Sequence, residues 1–458
     1  MKRARTPCVP RTQLYLVSVG EDLLSHILVC INPAPGHINP LLAVAQHLSG
    51  AGHHVTVLTG DVFKDKIVAA GLDFVTVTGI ANFDYRRQED FFPDKKNLRG
   101  MDLMAHYFKH LFGDTIPDQD RCIRQIMAKR PVDLILVDVP YLGAFPLLLG
   151  PKNNRPPIIG CGVIPLVMTS ADFGPFSQPD KTPEGLLKNR EATRQLEAAL
   201  QPATDHINTV LASCGAPSMP RFAFDCICVL PDLFLQFTGE AFEFPRSDMP
   251  ETIRFVGPVL PKPSVNFKEP VWWNDLNGGR PVVLVTQGTI ANFNLNELIQ
   301  PTLSALANED MLIIAATGRP DTESIVVPSN ARVEAFVPFD RLLPKVDVLV
   351  TNGGYGAVHQ ALSLGVPIVI AGETEDKAMI SARVDWTGAG ISLGTQDPTE
   401  EQIHSAVCTV LADSRYRRRA QAIQQNFRKY NAPDEITKTV NSLIEQAALP
   451  QRTIVSVW

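Results

Sequence analysis

Two ionisable side chains, far apart in the chain, carry the first chemistry that the sequence offers. His37 lies in the stretch Pro-Ala-Pro-Gly-His-Ile-Asn-Pro, residues 33–40, directly after the apolar run Ile27–Ile31. A run of this kind reads as a strand, and Pro40 suits a first helical turn. The spacing therefore predicts a helix opening near Asn39–Pro40, with His37 in the loop before it. Histidine is the side chain whose ordinary pKa best suits proton abstraction near neutral pH. Asp138 ends the apolar stretch Asp-Leu-Ile-Leu-Val-Asp, so it too is expected at the carboxyl edge of a sheet. A carboxylate there would hold the imidazole in one tautomer and stabilise its protonated form. A helix cap at Asp138 and loop packing at His37 use the same positions. The sequence alone leaves open whether the two side chains meet.

A second pattern suits an anion. The predicted strand Val346–Val350 runs into Thr351-Asn352-Gly353-Gly354, and a helix is expected from Tyr355. Glycines at 353, 354 and 356 let backbone amides approach a ligand, and a helix amino terminus behind them favours a group such as a diphosphate. A tight turn with no ligand would use the same glycines. Thr286-Gln287-Gly288-Thr289 ends another expected strand of the same region, adding backbone amides and the Thr289 hydroxyl. Asp118-Gln119-Asp120 has the spacing of a metal-binding pair of acids. It opens an expected helix, where acids favour the amino terminus, so no essential metal is expected. The eight cysteines are scattered. Cys226 and Cys228 are the one close pair, with no second half of a zinc site, and the thiols read as buried in a reducing compartment.

These residues need a scaffold, and the patterning predicts one. Expected strands at Ile27–Ile31, His54–Leu58, Phe74–Val77, Leu134–Asp138 and Pro157–Cys161 alternate with helical spacing. That rhythm implies a parallel sheet covered by helices on both faces. Residues 257–280, rich in proline and glycine, read as a linker. The rhythm then restarts at Pro281–Thr286, Met311–Ala315, Arg332–Ala335, Val346–Val350 and Pro367–Ile370. Helices are expected near 295–307, 355–364 and 375–387, and over most of 399–447. The predicted organisation is an extension at 1–26, a first α/β domain at 27–256, the linker, a second α/β domain at 281–430, and a terminal helix and tail at 431–458. Both domains are expected to be Rossmann-like and doubly wound. Ligands bind outside the carboxyl ends of strands in such sheets, so facing domains would hold a ligand cleft.

Composition bounds the rest. The chain has 458 residues, 45% hydrophobic and 20% charged, with a net charge of −6. That balance is globular and carries no electrostatic footprint for nucleic acid. The first 26 residues begin basic, but Leu14–Val19 is too short for the apolar core of a signal peptide. No run of about 18 apolar residues occurs, so no membrane span is expected, and the expected compartment is the cytoplasm. Residues 80–112 and 165–190 read as irregular loops carrying Phe83, Tyr85, Phe91, Phe92, Tyr107, Phe108, Phe112, Phe173 and Phe176. Most of these are expected to fill local core, and the rest suit an apolar ligand.

The stretch from Phe336 to Lys377, together with Gly-His-Ile-Asn-Pro in the expected place, resembles the inverting UDP-glycosyltransferases of plant secondary metabolites, macrolides and sterols. The resemblance covers residues 27–430, and Thr-Asn-Gly-Gly-Tyr-Gly…Gly-Glu-Thr-Glu-Asp-Lys looks most like a microbial branch. It implies the GT-B fold and transfer of a sugar, by family default glucose from UDP-glucose, onto a hydroxyl of a small apolar acceptor. It also implies a metal-independent reaction with no cofactor beyond the nucleotide-sugar co-substrate. On this likeness His37 is the general base and Asp138 its partner. Phe336 stacks on uracil, Val337 reads the base edge through its backbone, and Gln360 binds ribose. Asp376 and Lys377 hold sugar hydroxyls, and Thr289 lies near the phosphates. Gly36, Asn352, Gly353, Gly354, Tyr355 and Gly356 complete the implied donor side.

The chain departs from the family pattern at four of these positions. Asn352 stands where a histidine usually contacts the diphosphate; its amide still donates a hydrogen bond but carries no charge. Phe336 replaces a tryptophan, Gln360 a glutamate, and Lys377 a glutamine. Two other readings remain at this stage: a nucleotide-sugar epimerase of the same fold, and a nucleotide-sugar-binding helper without catalysis. An epimerase would change the donor with no acceptor present.

Overall fold

The computed structural model describes residues 25–87, 98, 100–288, 294–319 and 325–448. Thr289, Phe91 and Phe92 lie outside the described residues, as do residues 1–24. The first sheet holds seven parallel strands: β1 (His26–Cys30), β2 (His54–Thr59), β3 (Asp73–Thr76), β4 (Leu134–Asp138), β5 (Ile158–Gly162), β6 (Leu233–Gln236) and β7 (Ile253–Phe255). Their order is β3-β2-β1-β4-β5-β6-β7. The second sheet holds β8 (Val282–Thr286), β9 (Leu312–Ala316), β10 (Ala331–Glu334), β11 (Val348–Thr351), β12 (Ile368–Ile370) and β13 (Gly390–Ser392). Its order is β10-β9-β8-β11-β12-β13, also parallel throughout. Each sheet is doubly wound, and each reverses direction once, between β1 and β4 and between β8 and β11.

Burial on both faces explains why these strands read as continuous apolar runs. In β8, Val282 and Leu284 join one apolar cluster while Val283 and Val285 join the cluster on the other face. β9 divides in the same way, with Leu312 and Ile314 on one side and Ile313 and Ala315 on the other. A sheet sandwiched between helices has no polar face to alternate with. The sequence missed β6, β7 and β13, which span only three or four residues and give no period to read.

Several expected boundaries move. The helix after β1 spans Pro35–Gly50, so His37 sits in its first turn and Pro40 in its interior. Pro35 takes the first position, where an N–H would have no intrahelical partner anyway, so its missing donor costs nothing. Residues 183–213 form one 31-residue helix, capped by the Thr182 hydroxyl accepting from the Gly185 amide at 3.0 Å. Gly100–His106 and Tyr107–Gly113 are helical too, the latter in wide π turns. Part of the expected linker belongs to the second core: Val271–Asn277 is a 3-10 turn that buries Trp273 and Leu276 there. One aromatic anchor is enough to dock such a segment, and it leaves no period in the sequence. The last described helix, Ala432–Ala448, packs Ala432, Ile436, Val440 and Ile444 into the core of the first sheet. The chain thus crosses back to its amino-terminal half.

Candidate active site

Register brings the two predicted ionisable groups together. β1 pairs with β4, Ile27 opposite Leu134 and Cys30 opposite Val137. The residues that follow each strand therefore emerge side by side at the reversal point, where a parallel sheet opens a crevice. His37 Nδ1 lies 2.8 Å from Asp138 Oδ1. Asp138 Oδ2 accepts from the Asn32 amide at 3.1 Å and from Asn32 Nδ2 at 3.3 Å. Asn32 is fixed in turn by Gln119, which also accepts from the Gly143 amide. The Asp138 side chain is fully buried, whereas that of His37 keeps 19% exposure. The carboxylate is a fixed anchor and the imidazole is the group that reaches solvent.

Charge around His37 decides its protonation. Burial pushes its pKa down, but the Asp138 carboxylate and its hydrogen bond, with Asp376 and Glu375 beyond, outweigh this and raise it. Asp376 and Glu375 belong to the second domain, so the pull comes from both sides of the cleft. Enclosure and the neighbouring Glu375 push the Asp376 carboxyl up to about 6.

The second sheet supplies its own reversal point. Thr286 of β8 lies opposite Thr351 of β11, so Gln287-Gly288 and Asn352-Gly353 run in parallel. Asn352 Nδ2 donates to the Gln287 carbonyl at 2.7 Å and ties the two turns together. This engagement answers why an amide stands here: it braces the cradle. Gly353 has φ +94°, a backbone region that L side chains rarely adopt. Gly354 caps the helix Tyr355–Ser363, and a Cβ at Gly354 or Gly356 would meet open space. Gly36, in the first turn after β1, is equally open.

Other expected donor residues fall in varied settings. The Phe336 ring is 66% exposed on the loop after β10, while Val337 is buried in the core. Gln360 Nε2 donates to the Gly356 carbonyl one turn back, at 3.2 Å. The Tyr355 side chain turns toward the first domain: its hydroxyl accepts from Gln236 at 3.2 Å and its ring packs on Phe242 and His359. His359 is buried, bonded to Thr238, and burial pushes its pKa down to about 4. Lys377 is buried, with Nζ 3.0 Å from Thr374 Oγ1 and 3.1 Å from Glu375 Oε2. Asp118 and Asp120 each pair with an arginine of their own helix, Arg121 and Arg124.

Sequence reading missed Glu375. Its side chain keeps 35% exposure yet lies in the interdomain cleft, where Tyr85 donates to Oε1 at 2.8 Å. Enclosure would raise its pKa, but Lys377 and the Tyr85 hydrogen bond bring it below the usual carboxylate range. Its backbone has φ +58°, which costs a non-glycine residue roughly 1–3 kcal/mol. A second missed pair, Arg383 and Glu243, joins the domains through a fully buried bond of 2.7 Å. Neither had a sequence signal beyond an acidic run at 373–376. Between these contacts lies a pocket lined by Met104, Met168, Phe173, Phe176, Phe224 and Met379 among others, with Glu375 at its wall. Of the aromatic residues expected in loops, Phe173 and Phe176 line this pocket, whereas Phe83 and Phe108 are core.

Comparison with known proteins gives this geometry a family. Residues 299–443 match the family model described as erythromycin biosynthesis protein CIII-like, C-terminal domain. The chain is 35% identical over 427 residues to 4'-demethylrebeccamycin synthase of Lentzea aerocolonigenes, covering 92% of this chain and all of that one. It is 33% identical over 441 residues to UDP-glycosyltransferase 2 of Phaeomoniella chlamydospora, covering 93% and 97%. The solved structure of CalG4, the calicheamicin glycosyltransferase, superimposes with a TM-score of 0.70 at 21% identity, covering 93% of this chain and all of that one. With two doubly wound sheets facing a cleft and relatives matched along nearly their whole length, the chain belongs to the UDP-glycosyltransferase family of GT-B fold and is a metal-independent, inverting glycosyltransferase.

Proposed function

We propose that the chain moves a hexose, with UDP-glucose as first-choice donor, onto a hydroxyl of a small apolar acceptor such as a secondary metabolite. One observation carries the reading. A partly buried imidazole, 19% exposed and anchored by a fully buried carboxylate at one sheet's reversal point, faces the cleft shared with the second domain. With Nδ1 on Asp138, Nε2 is the nitrogen available to an acceptor hydroxyl. It takes the proton as oxygen attacks the anomeric carbon from the face opposite the leaving diphosphate, and configuration inverts. Asp138, Asp376 and Glu375 stabilise the imidazolium that forms. General-base assistance of this kind is worth about 10²–10⁴ in rate.

On the donor side, the amides of Gly353, Gly354 and Gly356 and the helix amino terminus receive the charge that grows on the diphosphate. Phe336, exposed and aromatic, stacks on the base, with Val337 beside it. Gln360 meets the ribose, and Asp376 and Lys377 border the sugar. Thr289 is assigned to the phosphates on the family pattern alone. No cofactor is assigned a part. The methionine- and phenylalanine-lined pocket suits an apolar acceptor, and it abuts Glu375, one of the charges felt by His37. Relatives named for rebeccamycin and calicheamicin support a secondary-metabolite acceptor. The seven free cysteines among the described residues support a reducing, cytoplasmic location. No described helix is long and apolar enough to cross a membrane.

A donor panel incubated with an acceptor panel, read by mass spectrometry, tests this. UDP-hexose with phenols, sterols or macrolides should yield the glycoside, and His37→Ala should abolish it while leaving UDP affinity unchanged. Conversion of the donor with no acceptor present would instead mark an epimerase. UDP binding with no product from any acceptor would mark a non-catalytic helper.

A further inference from the structure

Away from the cleft, three side chains of the second domain aim their ligand atoms at one point. Glu309 lies three residues before β9, at the amino edge of the second sheet. The donor turns leave the opposite edge, a strand length of roughly 16 Å away. His404 and Cys408 are one turn apart on the helix Glu400–Ala412, so both face Glu309. His404 Nε2 is 2.8 Å from Glu309 Oε1 and 3.7 Å from Cys408 Sγ. All three ligand atoms lie within 4.8 Å of one another. We propose that Glu309, His404 and Cys408 bind a zinc ion, with water as the fourth ligand.

The donor set selects the ion. A thiolate with an imidazole disfavours magnesium and calcium and suits zinc, and the carboxylate and thiolate together neutralise its charge. The geometry is close to what the ion needs. Tetrahedral zinc sets its ligand atoms about 3.3–3.6 Å apart, from bond lengths near 2.0–2.3 Å. The imidazole–thiol separation, 3.7 Å, must close by only about 0.1 Å. The imidazole–carboxylate pair must open by roughly half an ångström, a side-chain adjustment that exchanges a hydrogen bond for two metal bonds.

The frame is held from both sides. The helix begins with a reciprocal cap between Thr399 and Gln402, and Ile403, Val407 and Val410 fix its inner face in the core. The Glu309 amide donates to Leu306, and its carbonyl accepts from Met311 and from Asn330 Nδ2 at 3.1 Å. The His404 and Glu309 side chains keep 42% and 40% exposure, which leaves an entry path and a solvent side for the fourth ligand. An ion bound here staples the helix to the turn at 306–311, contacts far apart in the chain. It is remote from the transfer reaction.

The full-length chain, stripped with chelator, is titrated with zinc and with cobalt. One equivalent of either should bind, cobalt should give a thiolate-to-metal charge-transfer band, and zinc should raise the melting temperature. His404→Ala and Cys408→Ser should each weaken binding by about tenfold or more and remove the thermal shift. Cys214→Ser, at another half-exposed thiol, should change neither. Alanine is the best helix former, so His404→Ala keeps the helix, with circular dichroism as the check and transfer activity unchanged. Absence of the cobalt band, or equal affinity in wild type and both variants, overturns the site and leaves a plain Glu309–His404 ion pair. Because neither variant touches the cleft, failure here is distinct from failure of the transferase reading.

Discussion

Replacing Asp138 by asparagine probes the proposed base through its partner. The carboxamide keeps the shape but has one acceptor atom where the carboxylate has two. Asn32 presents two donors to the Oδ2 side, at 3.1 and 3.3 Å. Turning the amide nitrogen toward them would leave buried donors facing each other, at about 1–3 kcal/mol each. The amide nitrogen therefore faces His37 and donates to Nδ1. That forces the ring proton onto Nε2, the nitrogen that must be bare to accept one. Loss of the correct tautomer costs about 10²–10⁴ in kcat, or roughly 2.7–5.4 kcal/mol at 1.36 kcal/mol per decade. The pH profile gives an independent sign. A general base works when neutral, so kcat/KM is lost as pH falls through the His37 pKa. Burial lowers that pKa, whereas Asp138, followed by Asp376 and Glu375, raises it above its ordinary value. Removing the largest raising influence shifts the limb to lower pH. Initial rates across pH, with UDP affinity measured by calorimetry, check both effects. A rate loss under about tenfold, with the limb unmoved, would refute the pairing as a catalytic device.

Three further outcomes follow from other contacts. Phe336→Ala should weaken UDP binding by about 1–3 kcal/mol, the usual worth of stacking on a base, while the melting temperature stays constant because the ring is 66% exposed. Arg383→Met should destabilise the fold by about 3–5 kcal/mol in denaturant titration, because it strands the buried Glu243 carboxylate; adding Glu243→Gln should recover part of the loss. Tyr85→Phe removes the hydroxyl that reaches Glu375 across the cleft. It should reduce kcat/KM by at most about tenfold with little change in UDP affinity, since a hydrogen bond to a charged group is worth about 1.5–3 kcal/mol before solvent screening.

The sequence by itself determined the repeated strand–helix rhythm, because strands buried on both faces must be apolar throughout. β1, β4, β8 and β11 were legible for this reason. It also placed His37 and Asp138 at a sheet edge, since each follows or ends such a run. Their meeting was a matter of register, and pairing of β1 with β4 is a non-local choice that no window of residues encodes. The start of the helix at Pro35 rather than near Pro40 was decided by packing, which tolerates a proline where one carbonyl loses its donor. The contacts between domains were wholly tertiary. Tyr85 finds Glu375, and Glu243 finds Arg383, across sequence separations of 290 and 140 residues. The residue with positive φ, Glu375, is the one that Tyr85 meets across the cleft. Single side chains meeting across a cleft leave no periodic trace, so only the folded chain reveals them.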